Sequence, residues 1–122
     1  MKYEQFKIAN LTKDFAVYVD NSLTNIPKKE IELKHKIKEA SYNLVLEVYE
    51  ANTITDNNKK SELQEKSIAL VKYLDFLINL CYDKQIINSK KYIRFGEKLD
   101  KIIRYIVAWS NTTKKTDQGI VN

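Results

Sequence analysis

Between Asn88 and Trp109 the large apolar residues recur at the spacing of an α-helix. Tyr92, Phe95, Leu99, Ile102, Ile106 and Trp109 follow one another at steps of three or four, so all six stack along one face. Lys90, Arg94, Lys98, Lys101 and Arg104 fall on the other side of the same helix, at ~100° per residue. One segment therefore carries both a core stripe and a basic stripe. Burying its six large side chains contributes roughly 1.5–3 kcal/mol each before conformational entropy is set against it. Ile103 and Val107 widen the apolar face beyond what one neighbouring helix would cover, which leads us to expect self-association.

The rest of the chain supplies three helices for it to pack on. Ile8, Leu11, Phe15, Val19, Leu23 and Ile26 predict a first helix over Tyr3 to Leu23. It ends near Asn21 to Asn25, where Asn, Ser and Thr side chains compete for backbone hydrogen bonds. Pro27 then sits in the first turn of a second helix over Lys28 to Asn52, a position that needs no amide donor. Leu33, Ile37, Ala40, Leu44, Val48 and Ala51 form the inner stripe of that helix, with Val45 and Tyr49 along its edge. The polar break Thr53 to Lys60 offers several N-caps. A third helix is expected over Ser61 to Tyr82, with Ser61 and Gln64 at capping-box spacing. Its stripe of Leu63, Leu70, Leu74, Leu77 and Cys81 is broadened by Ile68, Val71, Phe76, Ile78 and Leu80. A helix this apolar is expected to be central in a bundle or covered in an oligomer. Asp83 to Ser89 reads as a short turn, with Asn88 or Ser89 capping the fourth helix. Four helices joined by short connections predict an all-α, antiparallel up-down-up-down four-helix bundle over residues 1–111. Residues 112–122 are expected to form a polar, flexible tail.

Composition agrees with helices and narrows the setting. Two Gly and one Pro among 122 residues leave few tight turns for a sandwich or barrel. A single cysteine, Cys81, forms no intrachain disulfide, so a reducing cytoplasm is the expectation. Residues Met1 to Phe6 lack the apolar run of a signal peptide, and no stretch approaches the ~20 apolar residues of a membrane span. We expect a soluble chain with no membrane partner. The net charge of +5 is concentrated: residues 84–109 hold seven basic and two acidic side chains, while 1–83 sum to −1. Such a concentration fits a surface for a polyanion or an acidic partner, against the plainer reading of a solvated lysine face.

Catalytic constellations are missing. Glu32 and His35 have Glu-x-x-His spacing, but a di-iron bundle needs two such motifs and further carboxylates. His35 is the single histidine, and both residues point away from the Leu33/Ile37/Leu44 face. No metal, cofactor or catalytic residue is expected. Cys81 lies on an inner stripe and reads as a buried, inert thiol. No Gly-rich phosphate loop or Ser/His/Asp set occurs, so the chain is not expected to be an enzyme. Tyr42, Tyr73 and Tyr92 are expected to pack beside the core with their hydroxyls in water. Tyr105 sits at the margin of the basic stripe, where it either stacks a base or lies over Lys and Arg stems.

From the second helix onward the sequence resembles a known family. Lys36-Ile37-Lys38-Glu39-Ala40-Ser41-Tyr42-Asn43-Leu44, followed by Glu50-Ala51, is similar to the helix-two signature of the accessory variability determinant (Avd) proteins of diversity-generating retroelements. Leu80, Asp83, Ile87, Tyr92, Ile102 and Trp109 also fall where that family has similar residues. The likeness covers about residues 26–110 and is more specific for fold than for activity. It implies a four-helix bundle assembling as a homopentameric barrel. It also implies a non-catalytic protein that binds RNA or DNA without sequence preference and associates with a reverse transcriptase in cDNA synthesis. Related proteins encoded in ribosomal-RNA intervening sequences share the bundle, but the Arg-Arg and Asn-Ile-Ala-Glu-Gly features of their second helix are absent here. Five copies at +5 would make a ring of about +25, a field that steers nucleic acid through phosphate contacts. The residues expected to make those contacts are Lys90, Lys91, Arg94, Lys98, Lys101 and Arg104. The competing expectation is a structural or protein-interaction bundle, of the intervening-sequence type included, whose charge serves solubility alone.

Overall fold

The computed structural model describes the backbone of residues 3–117 and the side chains of residues 7–116. Among these the chain is all-helical, with no strand: α1 (Tyr3–Ser22), a 3-10 turn (Lys28–Glu30), α2 (Ile31–Thr53), α3 (Asn57–Asp83) and α4 (Ser89–Asp117). Each helix packs on the next, and α1 also packs on α4, closing the set around one core. None of the described helices is long and apolar enough to cross a membrane.

The inner stripes of α2 and of the middle of α4 are the ones the spacing predicts, whereas that of α3 shifts from Leu63 and Leu70, both half-buried, to Val71 and Ile78. Leu33, Ile37, Ala40, Leu44, Val48 and Ala51 of α2 are all buried, with Ser41 beside them. Ile8, Phe15, Val19 and Leu23 are buried from the first helix and the turn after it, while Leu11 and Ile26 are half-buried. On α4, Phe95, Leu99, Ile102 and Ile106 are buried, and Tyr92 and Trp109 flank the stripe half-buried. Phe95 is the keystone: its ring meets Phe15 edge-on at 5.9 Å between centroids and Tyr18 edge-on at 4.8 Å. Edge-to-face pairs add roughly 0.5–1.5 kcal/mol each beyond area burial.

Helix boundaries depart from the sequence reading in three places. Pro27, at φ −56°, precedes a single 3-10 turn closed by Glu30 N–H donating to the Pro27 carbonyl at 2.9 Å, and α2 proper begins only at Ile31. α3 begins at Asn57 rather than Ser61, because Asp56 Oδ1 accepts from Asn58 N–H at 3.0 Å. Asp56 is thus the N-cap, and Gln64 is a fully buried residue inside the helix. α4 continues past Asn111 to Asp117, through residues expected to fray. Thr113 is buried there, and its Oγ1 accepts from Gln64 Nε2 at 3.0 Å. Lys114 pairs with Glu65 at 3.3 Å, so both side chains tie the last turns of α4 to α3. Gln118 to Asn122, the remainder of the expected tail, lie outside the described residues.

The α3–α4 connection is a Schellman motif. Ile86 N–H donates to the Cys81 carbonyl and Gln85 N–H to the Tyr82 carbonyl, each at 2.9 Å. That geometry requires a left-handed residue, usually Gly, and here Gln85 fills it at φ 62°. Asn88 then caps α4, its Oδ1 accepting from Lys91 N–H at 2.9 Å.

The breadth of α3 is resolved outward. Val71, Leu74, Leu77, Ile78 and Cys81 are buried, and Ile68, Leu70 and Leu80 are half-buried. Phe76 is 59% exposed and Tyr73 42%, with their rings stacked at 6.5 Å.

Candidate nucleic-acid interface

The six basic residues singled out on α4 all lie on its outer side or its flanks, but the structure divides them by what holds them. Lys90, Arg94 and Lys101 are exposed. Among the described residues none of the three has a carboxylate within ion-pair reach. These are free cations, and their positions on the helix put them on one side of its outer face.

The other three are engaged. Lys91 is half-buried and its Nζ donates to the Ser22 carbonyl at 3.0 Å, in the last turn of α1. A cation there satisfies an orphan carbonyl and complements the negative end of the helix dipole. Lys98 is half-buried with its Nζ over the Tyr18 ring, 5.0 Å from the centroid. Arg104 lies 3.4 Å from the Asp100 carboxylate one turn before it, with side chains 70% and 67% exposed. An exposed pair of that kind contributes little and opens readily.

Two residues of α1 join this surface that the sequence reading left out. Lys7 places its Nζ over the Tyr105 ring at 5.4 Å, and Tyr18 lies beneath Lys98. The seam between α1 and α4 thus carries two half-buried tyrosines, each with a lysine from the opposite helix on its face. Tyr105 thus lies against a lysine, as one of the two sequence expectations had it, but the lysine is Lys7 of α1 and its ammonium covers the ring. Among the described residues, Glu97 and Asp100, exposed on α4, and Asp14, exposed on α1, are acids on this side. A shallow recess at the α3–α4 end of the seam is lined by Tyr18, Asn88, Lys90, Lys91, Ile93, Arg94 and Glu97.

Elsewhere among the described residues the candidate groups lie apart or buried. Glu32 and His35 are both exposed, and no group of three or more His, Cys, Asp or Glu residues among the described ones is arranged to hold a metal ion. Cys81 is fully buried, and burial pushes its thiol up to about 11, far from a reactive thiolate. The hydroxyls of Tyr42 and Tyr92 have side-chain partners that the sequence reading did not assign. Tyr42 donates to Asp20 at 2.6 Å, which raises its ionisation range. Tyr92 donates to the Asn79 carboxamide oxygen while its ring stacks on Tyr82 at 4.3 Å.

No family model matches the chain. No curated protein matches it either.

Proposed function

We propose that this chain is a non-catalytic, Avd-like accessory protein of a diversity-generating retroelement. In this reading it binds RNA or DNA through the outer side of α4, associates with the reverse transcriptase and supports cDNA synthesis in the cytoplasm. The observation that carries the nucleic-acid part is the row of free cations Lys90, Arg94 and Lys101, joined by Lys98 on the flank. Phosphates are the ligands such a row recognises, because contacts to them need charge and no particular base. The retroelement part rests on the Lys36–Leu44 signature and the Tyr92-to-Trp109 spacing.

The bundle is read as antiparallel, up-down-up-down. Support comes from the order of contacts along the seam: Lys91, Lys98 and Tyr105 of α4 meet Ser22, Tyr18 and Lys7 of α1, so one helix descends as the other ascends. Homo-oligomerisation is supported by the outward Tyr73 and Phe76, apolar surface that a second copy would cover, while the pentameric number rests on the family resemblance alone. The same ridge favours the second reading, a protein-interaction bundle with no role on nucleic acid. Mass measurement in solution tests the assembly, and Phe76→Glu is expected to weaken it.

Binding separates the two readings. The Arg94→Glu/Lys98→Glu/Lys101→Glu protein is expected to lose affinity for labelled RNA and DNA at low salt while remaining helical. Unchanged binding by this variant, or flat titrations of the unaltered protein at ~50 mM salt, would favour the protein-interaction bundle, because phosphate-driven affinity is greatest at low salt.

A further inference from the structure

Cation rows alone would take duplex and single strand alike, and the seam beside this row contains more than charge. We propose that the α1–α4 seam is a single-strand site, in which Tyr18 and Tyr105 stack exposed bases while Lys98 and Lys7 leave the ring faces for phosphates. The proposal rests on the nucleic-acid reading above and adds to it the form of nucleic acid and two residues of α1.

Three observations carry it. Both rings are half-buried, fixed against the core and open on the face that a lysine covers. Tyr18 is held from behind by Phe95, edge-on at 4.8 Å, so its open face is already oriented. On α4 the order Arg94, Lys98, Lys101, Tyr105 runs at steps of four, three and four along one flank, so three cations and a ring share a single line. Lys98 marks the level of Tyr18, seven residues before Tyr105, and the two rings are thus about 10 Å apart along the helix axis. That is about three nucleotides at the 3.4 Å rise of a stacked strand. Lys101 projects between them, where the intervening phosphates would run.

The exchange at each ring follows from relative strengths. An ammonium over the face of a half-buried tyrosine is a weaker contact than a charge-assisted one to a phosphate, which outcompetes it. A base that then covers the ring recovers a larger, sequence-tolerant stacking contact. A duplex offers no such face, because its bases are stacked on one another, so it would meet the cations only.

Fluorescence anisotropy at low salt tests this with three labelled probes: an oligothymidylate, an abasic oligomer with the same number of phosphates, and a duplex of equal length. The unaltered protein is expected to bind the oligothymidylate at least about thirtyfold tighter than the abasic strand, given two stacked bases at about 1 kcal/mol or more each. Tyr18→Leu/Tyr105→Leu is expected to bring that ratio to about one without changing the salt dependence, whereas Tyr105→Phe retains it. Equal affinity of the unaltered protein for the abasic and base-bearing strands overturns stacking and leaves the phosphate reading standing. This comparison decides the matter even if Tyr18→Leu unsettles the packing on Phe95. A base preference that survives the double leucine substitution overturns the placement on these rings. Failure to bind any of the three probes removes the nucleic-acid reading and this site with it.

Discussion

Salt dependence turns the division of the six cations into numbers. Lys90, Arg94 and Lys101 stand free, and Lys98 and Lys7 are held only by ring faces, so five phosphate contacts are available along the seam. For a single strand each contact contributes about −0.7 to the slope of log affinity against log salt, giving about −3.5 in total. Raising salt from ~50 to ~200 mM should then weaken binding about 130-fold. Arg94→Gln removes one contact, so the slope should fall to about −2.8 and the loss over the same interval to about fiftyfold. Lys91→Met should behave differently. Its ammonium is spent on the Ser22 carbonyl at 3.0 Å, so the slope stays near that of the unaltered protein. The change would show instead as a loss of about 0.3–1 kcal/mol in urea unfolding, the usual worth of a cation at a helix C-terminus. Arg104→Gln should lie between, because Asp100 holds the guanidinium at 3.4 Å but in water. Anisotropy titrations with an oligothymidylate at a series of salt concentrations measure all of these. A Lys91→Met slope reduced as far as that of Arg94→Gln would refute the distinction between engaged and free cations.

The remaining predictions concern the scaffold. Phe95→Ala opens a cavity where a fully buried ring meets Phe15 and Tyr18, and it should cost about 3–5 kcal/mol by urea denaturation. A loss below ~1 kcal/mol would mean that α4 is not anchored there. Gln85→Gly relieves a left-handed residue at φ 62° in the Schellman turn and should stabilise the chain by about 0.5–1 kcal/mol, net of the added backbone freedom. Destabilisation by this change would mean that the Gln85 side chain makes contacts that outweigh the backbone strain. Burial raises the Glu47 carboxyl above its ordinary range, with Lys66 opposing the shift and Glu50 adding to it. The folded state therefore holds that proton more tightly than the unfolded one, and stability is lost as pH rises through the raised value. Glu47→Gln should raise the melting temperature at neutral pH, and the gain should vanish below about pH 4, where the unfolded glutamate is protonated too. A gain that persists there would point to packing rather than charge.

Periodicity served well wherever the buried residues are apolar. Every member of the α2 stripe from Leu33 to Ala51 is buried, while Tyr42, Leu46 and Tyr49 of the same helix stay exposed. It failed where the core turns polar. Beyond Trp109 the inward positions of α4 are Ser110 and Thr113, both buried, and a hydrophobic pattern ends before the helix does. Gln64 is the matching case on α3, buried against Thr113 in a position that reads as a cap residue. Asn57 to Lys60 belong to α3 on the strength of one side-chain cap from Asp56. With no apolar residue among them, no stripe could have extended the helix over them.

The basic row was legible for the same reason that the core was: Arg94, Lys98, Lys101 and Tyr105 lie on one helix, and a wheel orders them. Its partner row on α1 was not. Lys7, Leu11, Asp14 and Tyr18 follow at steps of four, three and four, the same regularity, but nothing local says which neighbour a flank meets. Only the packing of α1 on α4 brings Tyr18 under Lys98 and Tyr105 under Lys7. Two sparse polar rows thereby become one surface with two aromatic faces about two helical turns apart. A charge count over the sequence sees the cations and misses the rings, and so leads to phosphate contacts without a reason to prefer a single strand. The preference, if titration finds it, is a property of the seam and of neither helix alone. Removing the rings should therefore abolish it with every α4 cation still in place.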